Sequence, residues 1–249
     1  MKIKYIYCLT FLFTYCIFSQ TQSGDITYSV HKTESIEEKK LFKEYKNVKK
    51  KIDNQLLDLS FKLKFNTIKS EFGVVKSLFR DDNEFINEMA LLICRGNIVY
   101  ITDSKKNTII EQTPFFGKTY LIKSAFKDYD WVLTNESKKI GDYICYKATH
   151  KKEVSGPIYP KTTTNKINVI VWYCPKLSFP FGPFESSGLP GLVLEYSIGG
   201  GLIFRADKIN LTKKNIAIEF PKDTDGIKIS KTDFEELGKK AYKALKTDK

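Results

Sequence analysis

Ser186 and Ser187 stand directly before Gly188, with Glu185 directly before them, so two hydroxyls and a carboxylate share one short stretch. Serine hydrolysis also needs a base within hydrogen-bond reach of the nucleophile. The Gly-x-Ser-x-Gly turn that exposes such a serine is missing. The two histidines, His31 and His150, fall far apart on segments that read as strands, where each is expected at a surface or strand edge. Carboxylate pairs for glycoside chemistry are sought at Asp81-Asp82 and Glu37-Glu38, which read as solvated turn and helix charges. Glu185 and Glu195 are the residues on which an envelope hydrolase would be tested. No catalytic residue, metal ligand or cofactor is assigned, and hydrolysis is the least favoured function.

The cysteines point the same way. Cys8 and Cys16 lie in the amino-terminal segment discussed below, leaving Cys94, Cys145 and Cys174. No Cys-x-x-Cys or Cys/His cluster exists to hold zinc. In an oxidising compartment an odd set of three allows one pair and a buried thiol, or three buried thiols. Cys145 and Cys174 flank a polar segment at 151–165 that carries Gly156-Pro157 and Pro160 and reads as an exposed loop. A hairpin centred near residues 159 and 160 would set these two cysteines opposite each other, at the spacing a disulfide needs.

The stretch "SSGLPGLVLEY", 186–196, reads first as a stiff corner before a strand. Pro190 fixes its own φ and pushes Leu189 to an extended conformation. With Pro190 at i+1, Gly191 supplies the positive φ that position i+2 of a type II turn requires. Gly182-Pro183 and Gly188 make a second rigid step, so Gly182, Pro183, Gly188, Pro190 and Gly191 are turn residues. Phe179, Phe181 and Phe184 lie between the steps without a strand's period. Such a cluster is hard to bury entirely, so these rings, with Leu189 and Pro190, are the candidate contact surface for a ligand or partner.

These residues need elements to position them. The chain has 249 residues, 42% hydrophobic and 14% aromatic, enough for a real core in one β-rich domain over 21–249. Residues 1–20 are set apart as a cleaved signal peptide: Lys2 and Lys4 precede an uncharged run from Tyr5 to Phe18, shorter than the ~20 residues of a membrane span. The residues before Cys16 lack the small side chains of a lipidation site. Without Lys2 and Lys4, 39 basic face 29 acidic residues, a net charge of about +10. The lysines are spread, with Lys49-Lys50-Lys51 the longest run, so they read as a solvated surface. No nucleic-acid motif appears.

Ile26, Tyr28 and Val30 alternate as a first strand. Residues 34–53 switch to helical spacing through Leu41, Tyr45, Val48 and Ile52. Leu57 to Phe65 alternate again, and the apolar parity flips after Asn66, where a turn or bulge is expected. Residues 84–94 are ambiguous between helix and strand. Strands follow near 98–103, 108–112, 118–123, 130–134, 142–150, 166–174, 191–198, 202–210 and 215–220, with Asn135 read as a turn. Short connections favour antiparallel neighbours. Thr232 and Glu235 match a capping box that opens a last basic helix to about Leu245. The fold expected is α+β and mainly antiparallel β: a curved open sheet or half-barrel with a helix near each end.

Three motifs now stand in order: "KKIGDYICYKA" from Lys138, "VWYCPKLSFPFGPF" from Val171 and "GLPGLVLEY" from Gly188. Together they resemble the GLPGLI family of exported Bacteroidota proteins. Val193 stands where the family name has isoleucine, Asp142 separates Gly141 from Tyr143, and Cys174 replaces a more usual threonine. The resemblance implies a periplasmic or outer-membrane-peripheral location and a β-rich fold, and brings no established activity. It also brings a neighbourhood of TonB-dependent outer-membrane transporters. The meander looks like the open half-barrel of periplasmic lipoprotein carriers. The expected function is therefore a non-catalytic envelope protein that binds an apolar ligand, lipid or peptide. An accessory role beside an outer-membrane transporter is the alternative, with oligomeric state open.

Exported protein should begin near Ser19 to Thr21, which intact-mass analysis reads directly. A secreted product that retains Lys2 would overturn the cleaved-signal reading.

Overall fold

In the computed structural model, residues 23–33, 43–75, 83–126, 129–154, 165–199 and 201–247 are described. Residues 1–20, read as a signal peptide, 34–42 with Glu37 and Glu38, read as a helix start, Asp81-Asp82, and 155–164, read as a loop, lie outside them.

Twelve strands form one sheet. In chain order they are β1 (Ser23–Lys32), β2 (Ser60–Asn66), β3 (Lys69–Val74), β4 (Val99–Asp103), β5 (Thr108–Phe115), β6 (Lys118–Ser124), β7 (Val132–Ile140), β8 (Tyr143–Val154), β9 (Asn165–Cys174), β10 (Leu192–Ile198), β11 (Leu202–Thr212) and β12 (Ile227–Ile229). Their spatial order is β12-β6-β5-β4-β3-β2-β1-β11-β10-β9-β8-β7, so among the described residues β12 and β7 are the edges and the sheet is open. Every pairing is antiparallel except β12 with β6. Helices α1 (Lys43–Asp58), α2 (Glu84–Ile93) and α3 (Lys231–Thr247) complete the fold. None of the described helices is long and apolar enough to cross a membrane.

Several elements differ from the sequence expectation for identifiable reasons. The first helix continues to Asp58 and buries Ile52, Gln55 and Leu56, while Val48 and Leu57 are exposed. Leu57 matched the strand alternation because it stands two residues before Leu59, but it belongs to the last turn of the helix and lies on its exposed side. The ambiguous 84–94 segment is a helix, capped by Asn83, whose Oδ1 accepts from the Ile86 amide. The parity flip after Asn66 is a tight turn, where Asn66 Oδ1 accepts from the Ile68 and Lys69 amides. Asn135 ends no strand, because β7 runs through it with a bulge between Leu133 and Ser137. The last helix is capped by Ser230 rather than Thr232: Ser230 Oγ accepts from the Asp233 amide at 3.1 Å.

Residues 215–220 form no strand. They belong to an extended strap that must carry the chain from β11 to β12, seven positions along the sheet. Ile218 is buried and Ile216 and Phe220 half-buried, while Ala217 and Glu219 are exposed, so the alternation is real. A segment crossing strands rather than running beside one has the period of a strand and no ladder. Asn66 Nδ2 donates to the Ile216 carbonyl and holds the strap down. The short parallel strand β12, unmarked in the sequence reading, follows it.

The sheet is strongly curved, and residues 175–191 show why. In a flat sheet β4 and β10, five steps apart, would stand ~24 Å from each other. Yet Tyr100 of β4 and Tyr196 of β10 touch the same ring, Phe184, at centroid distances of 5.6 and 4.9 Å. Phe72 of β3 and Phe204 of β11 meet that ring at 4.9 and 4.7 Å, and Phe61 of β2 at 6.2 Å. The sheet wraps around the 175–191 segment, which fills its interior as a plug. Phe184 is 2% exposed.

Phe184→Ala should therefore cost about 3–5 kcal/mol and lower Tm by about 10 °C. Gly191→Val should be at least as damaging, since a Cβ there would lie 2.2 Å from the Cys174 carbonyl oxygen. Either variant melting like the wild type would contradict a plug packed in the core.

Candidate functional site

The plug holds most of the residues singled out as a contact surface, and the structure corrects that assignment. Phe179, Phe181, Phe184 and Leu189 are all buried; only Pro190 is exposed. Phe179 packs on Phe65 at 4.8 Å. An aperiodic aromatic loop gives no sign of which way its rings face, and the curved sheet supplies an interior that receives them all. Gly182 is needed because a Cβ there would meet Val193 Cβ at 2.6 Å and the Ser186 carbonyl oxygen at 2.7 Å. The predicted type II turn is replaced by a tighter one: the Gly191 amide donates to the Leu189 carbonyl at 2.8 Å, an i to i+2 bond around Pro190. The Leu192 amide turns instead to the Leu177 carbonyl, and the Val193 amide to that of Phe181. These bonds give the plug's backbone partners inside the fold.

Beside Phe184 lies a cluster of charges. Glu185, 3% exposed at its side chain, accepts from Arg95 Nη1 at 2.9 Å and from Lys152 Nζ. Arg95 Nη2 also meets Glu111 Oε2 at 3.1 Å, and its guanidinium lies 5.1 Å above the Tyr100 ring and 5.5 Å from Phe184. Glu111 is on β5 and Lys152 on β8, eight positions apart in the sheet, or ~38 Å if flat. The chain Glu111–Arg95–Glu185–Lys152 thus ties both flanks of the sheet to the plug. Burial alone would raise the Glu185 carboxyl, but Lys152 and Arg95 outweigh it and hold the group well below the usual carboxylate range. Burial draws the Lys152 ammonium down, against the pull of Glu185. Burial likewise keeps the phenols of Tyr100 and Tyr196 protonated. A carboxylate locked between two cations has no proton to exchange near neutral pH, so the arrangement is a clamp.

Glu195 is clamped in the same manner, by Lys138 Nζ at 2.6 Å and Arg205 Nε at 2.7 Å, with Lys138 4.3 Å over the Trp172 ring. Ser186 and Ser187 are buried, and Ser186 Oγ donates to the Pro183 carbonyl. His31 meets Ser29 Oγ at 2.9 Å. His150 sits against Tyr129 and Trp131, with Nδ1 3.3 Å from the Asp130 carbonyl oxygen. Among the described residues neither histidine meets Ser186 or Ser187: His31 is held by Ser29 of its own strand and His150 by the Tyr129–Trp131 segment.

A site that sequence reasoning missed lies at the other end of the sheet. A groove of about 850 Å³ runs over β5, β6 and β12, closed by the β4–β5 turn and the end of the strap at Pro221. Its floor is Ile110 and Leu121, with Ile229 lining it at the end of β12; its rim carries Lys106, Lys123 and Lys228. Leu121 pairs with Lys228 across β6 and β12, and Ile110 with Lys123 across β5 and β6. Side chains alternate along a strand, so these residues face away from Glu111, which points to the clamp. The groove opens on the outer face. Lys228 also meets Asp223 at 2.5 Å, both exposed, and among the described residues no acidic side chain lines the groove.

Glu185→Gln should cost about 3–5 kcal/mol at pH 7, because it leaves two cations short of a buried partner. The folded-state pKa lies below the unfolded value of about 4.3, so the stabilisation is present above that value and is lost as pH falls through the folded one. Urea melts should show the gap between wild type and variant closing below about pH 4. A gap unchanged from pH 7 to pH 3 would refute the clamp.

No family model and no curated protein matches the chain. Among solved structures, the C2 crystal form of PNGF-II is similar, with a TM-score of 0.52 at 14% identity over 87% of this chain and 32% of that one. The P21 form of PNGF-II gives 0.51 at 15% identity over 87% and 33%. The chain spans about a third of PNGF-II's length, and the likeness is one of fold.

Proposed function

We propose that this is a non-catalytic protein of the cell envelope that binds an amphipathic anion, an acyl chain with an acidic head, in the outer-face groove. The groove is the observation that carries the reading. Its apolar floor suits a chain and its lysine rim an acidic head group. The amino-terminal segment and the GLPGLI-type motifs support placement in the periplasm or at the outer membrane.

The resemblance to lipoprotein carriers supports a lipid ligand but not its usual place. A curved sheet with an empty apolar interior can hold an acyl chain inside; here Phe179, Phe181, Phe184 and Leu189 occupy that space. The ligand is therefore assigned to the outer face. An accessory role beside a TonB-dependent transporter is the second reading. With the Phe-rich loop buried, it moves to Val132, Leu133 and Ile144 near the β7 edge, which are 62%, 52% and 62% exposed.

Titration with a fluorescent long-chain fatty acid tests the first reading. Wild type should bind it saturably. The double variant Lys106→Glu/Lys123→Glu, at two exposed positions, should fold normally. It should bind about tenfold more weakly, since each exposed charge contact is worth ~0.2–1 kcal/mol and reversal adds repulsion. The methyl ester should not distinguish the two proteins. Absence of saturable binding, or equal affinity in wild type and variant, would sink the assignment.

A further inference from the structure

Cys145 and Cys174 are neighbours across β8 and β9. The ladder pairs Tyr146 with Tyr173, and one further step along each strand sets Cys145 against Cys174. Directly opposed residues in an antiparallel pair have Cα atoms ~4.5–5.5 Å apart, inside the range a disulfide spans. Both residues are 0% exposed, both are free thiols here, and the Cys145 thiol donates to the Tyr143 carbonyl at 3.8 Å. Cys94 is placed differently, at the end of α2, where its thiol donates to the Leu91 carbonyl at 3.6 Å.

We propose that Cys145 and Cys174 form a disulfide as the chain folds in an oxidising environment, and that this bond staples the neck of the plug. Cys174 is the last residue of β9, and the plug leaves from it. The plug's other end returns past the same residue: the Leu192 backbone pairs with Cys174, and Gly191 presses against its carbonyl. A bond at this point fixes β8 to both ends of the plug.

The oxidant is a small or protein disulfide of the glutathione or oxidoreductase class. One thiolate attacks that disulfide and expels a thiolate, leaving a mixed disulfide. The second cysteine thiolate attacks the mixed disulfide, forming the Cys145–Cys174 bond and expelling the second thiolate. The oxidant ends as two thiols that carry the two protons, and the protein is lighter by two hydrogens. Timing follows from burial. In the folded chain burial pushes the Cys145 thiol up to about 12, so almost no thiolate exists there at neutral pH. Exchange belongs to the stage before β8 and β9 close, and the finished bond is shielded from reductants.

Refolding the full chain from denaturant in a glutathione redox buffer tests this without any assumption about where the protein resides or what it binds. Peptide mass mapping under non-reducing conditions should find the Cys145 peptide joined to the Cys174 peptide, with Cys94 free. The oxidised protein should keep the bond in dithiothreitol until denaturant is added. It should melt about 10 °C above the reduced form, the scale expected for closing a loop of this length. Free thiols at both positions after refolding, or a bond that includes Cys94, would overturn the proposal. So would rapid reduction in the native state, because the shielding would then be wrong.

Discussion

The contact between Phe184 and the inner face of five strands is what the rest of the fold depends on. A large open sheet with an apolar concave face cannot leave that face wet, since exposed apolar surface costs ~25 cal/mol per Å². Here the chain covers it with its own segment between β9 and β10. Phe184 takes a φ of 55° to reach the centre, a conformation that costs about 1–3 kcal/mol for a residue with a side chain. Burial of the ring and its aromatic edge contacts offset that cost.

The next residue, Glu185, gives the packing a direction. Aromatic contacts tolerate rotation and sliding; an ion pair with Arg95 and Lys152 does not. Because Arg95 also meets Glu111 and Lys152 comes from β8, one carboxylate reads the positions of both flanks at once. A buried ion pair is a poor source of net stability, but removing one partner is costly, so it selects one arrangement over its neighbours. The plug therefore has two anchors of different kinds, side by side in sequence.

With the interior filled, the groove lies on the outer face. The strap passes the strand ends, held by Ser23 and Asn66, with Lys69 and Lys106 over the Phe220 ring, and reaches Pro221 where the groove begins. The edges are treated differently. β12 is three residues long; β7 carries a bulge and the pair Lys138-Lys139. Short strands, bulges and lysines all discourage edge-to-edge association.

Most strands were legible in the sequence because alternation over half-buried faces is a local property: β1, β2 and β4 through β11 follow from it. The clamp left a partial trace. Glu185 is the only charged residue between Lys176 and Glu195, and a lone carboxylate among aromatic and proline residues must find buried partners. Which partners was not legible, because Arg95 and Lys152 lie far away in the chain and meet Glu185 only when the sheet curves. The strap at 215–220 shows the same division. Its period of two was real, yet alternation reports which side is buried and is silent on whether a neighbouring strand runs alongside. Local pattern thus determined the strands, the rigid glycines and prolines of the corner, and the opposed cysteines. Curvature, the inward turn of the aromatic loop and the groove it leaves outside were decided only by tertiary structure, since each depends on surfaces that distant segments create together.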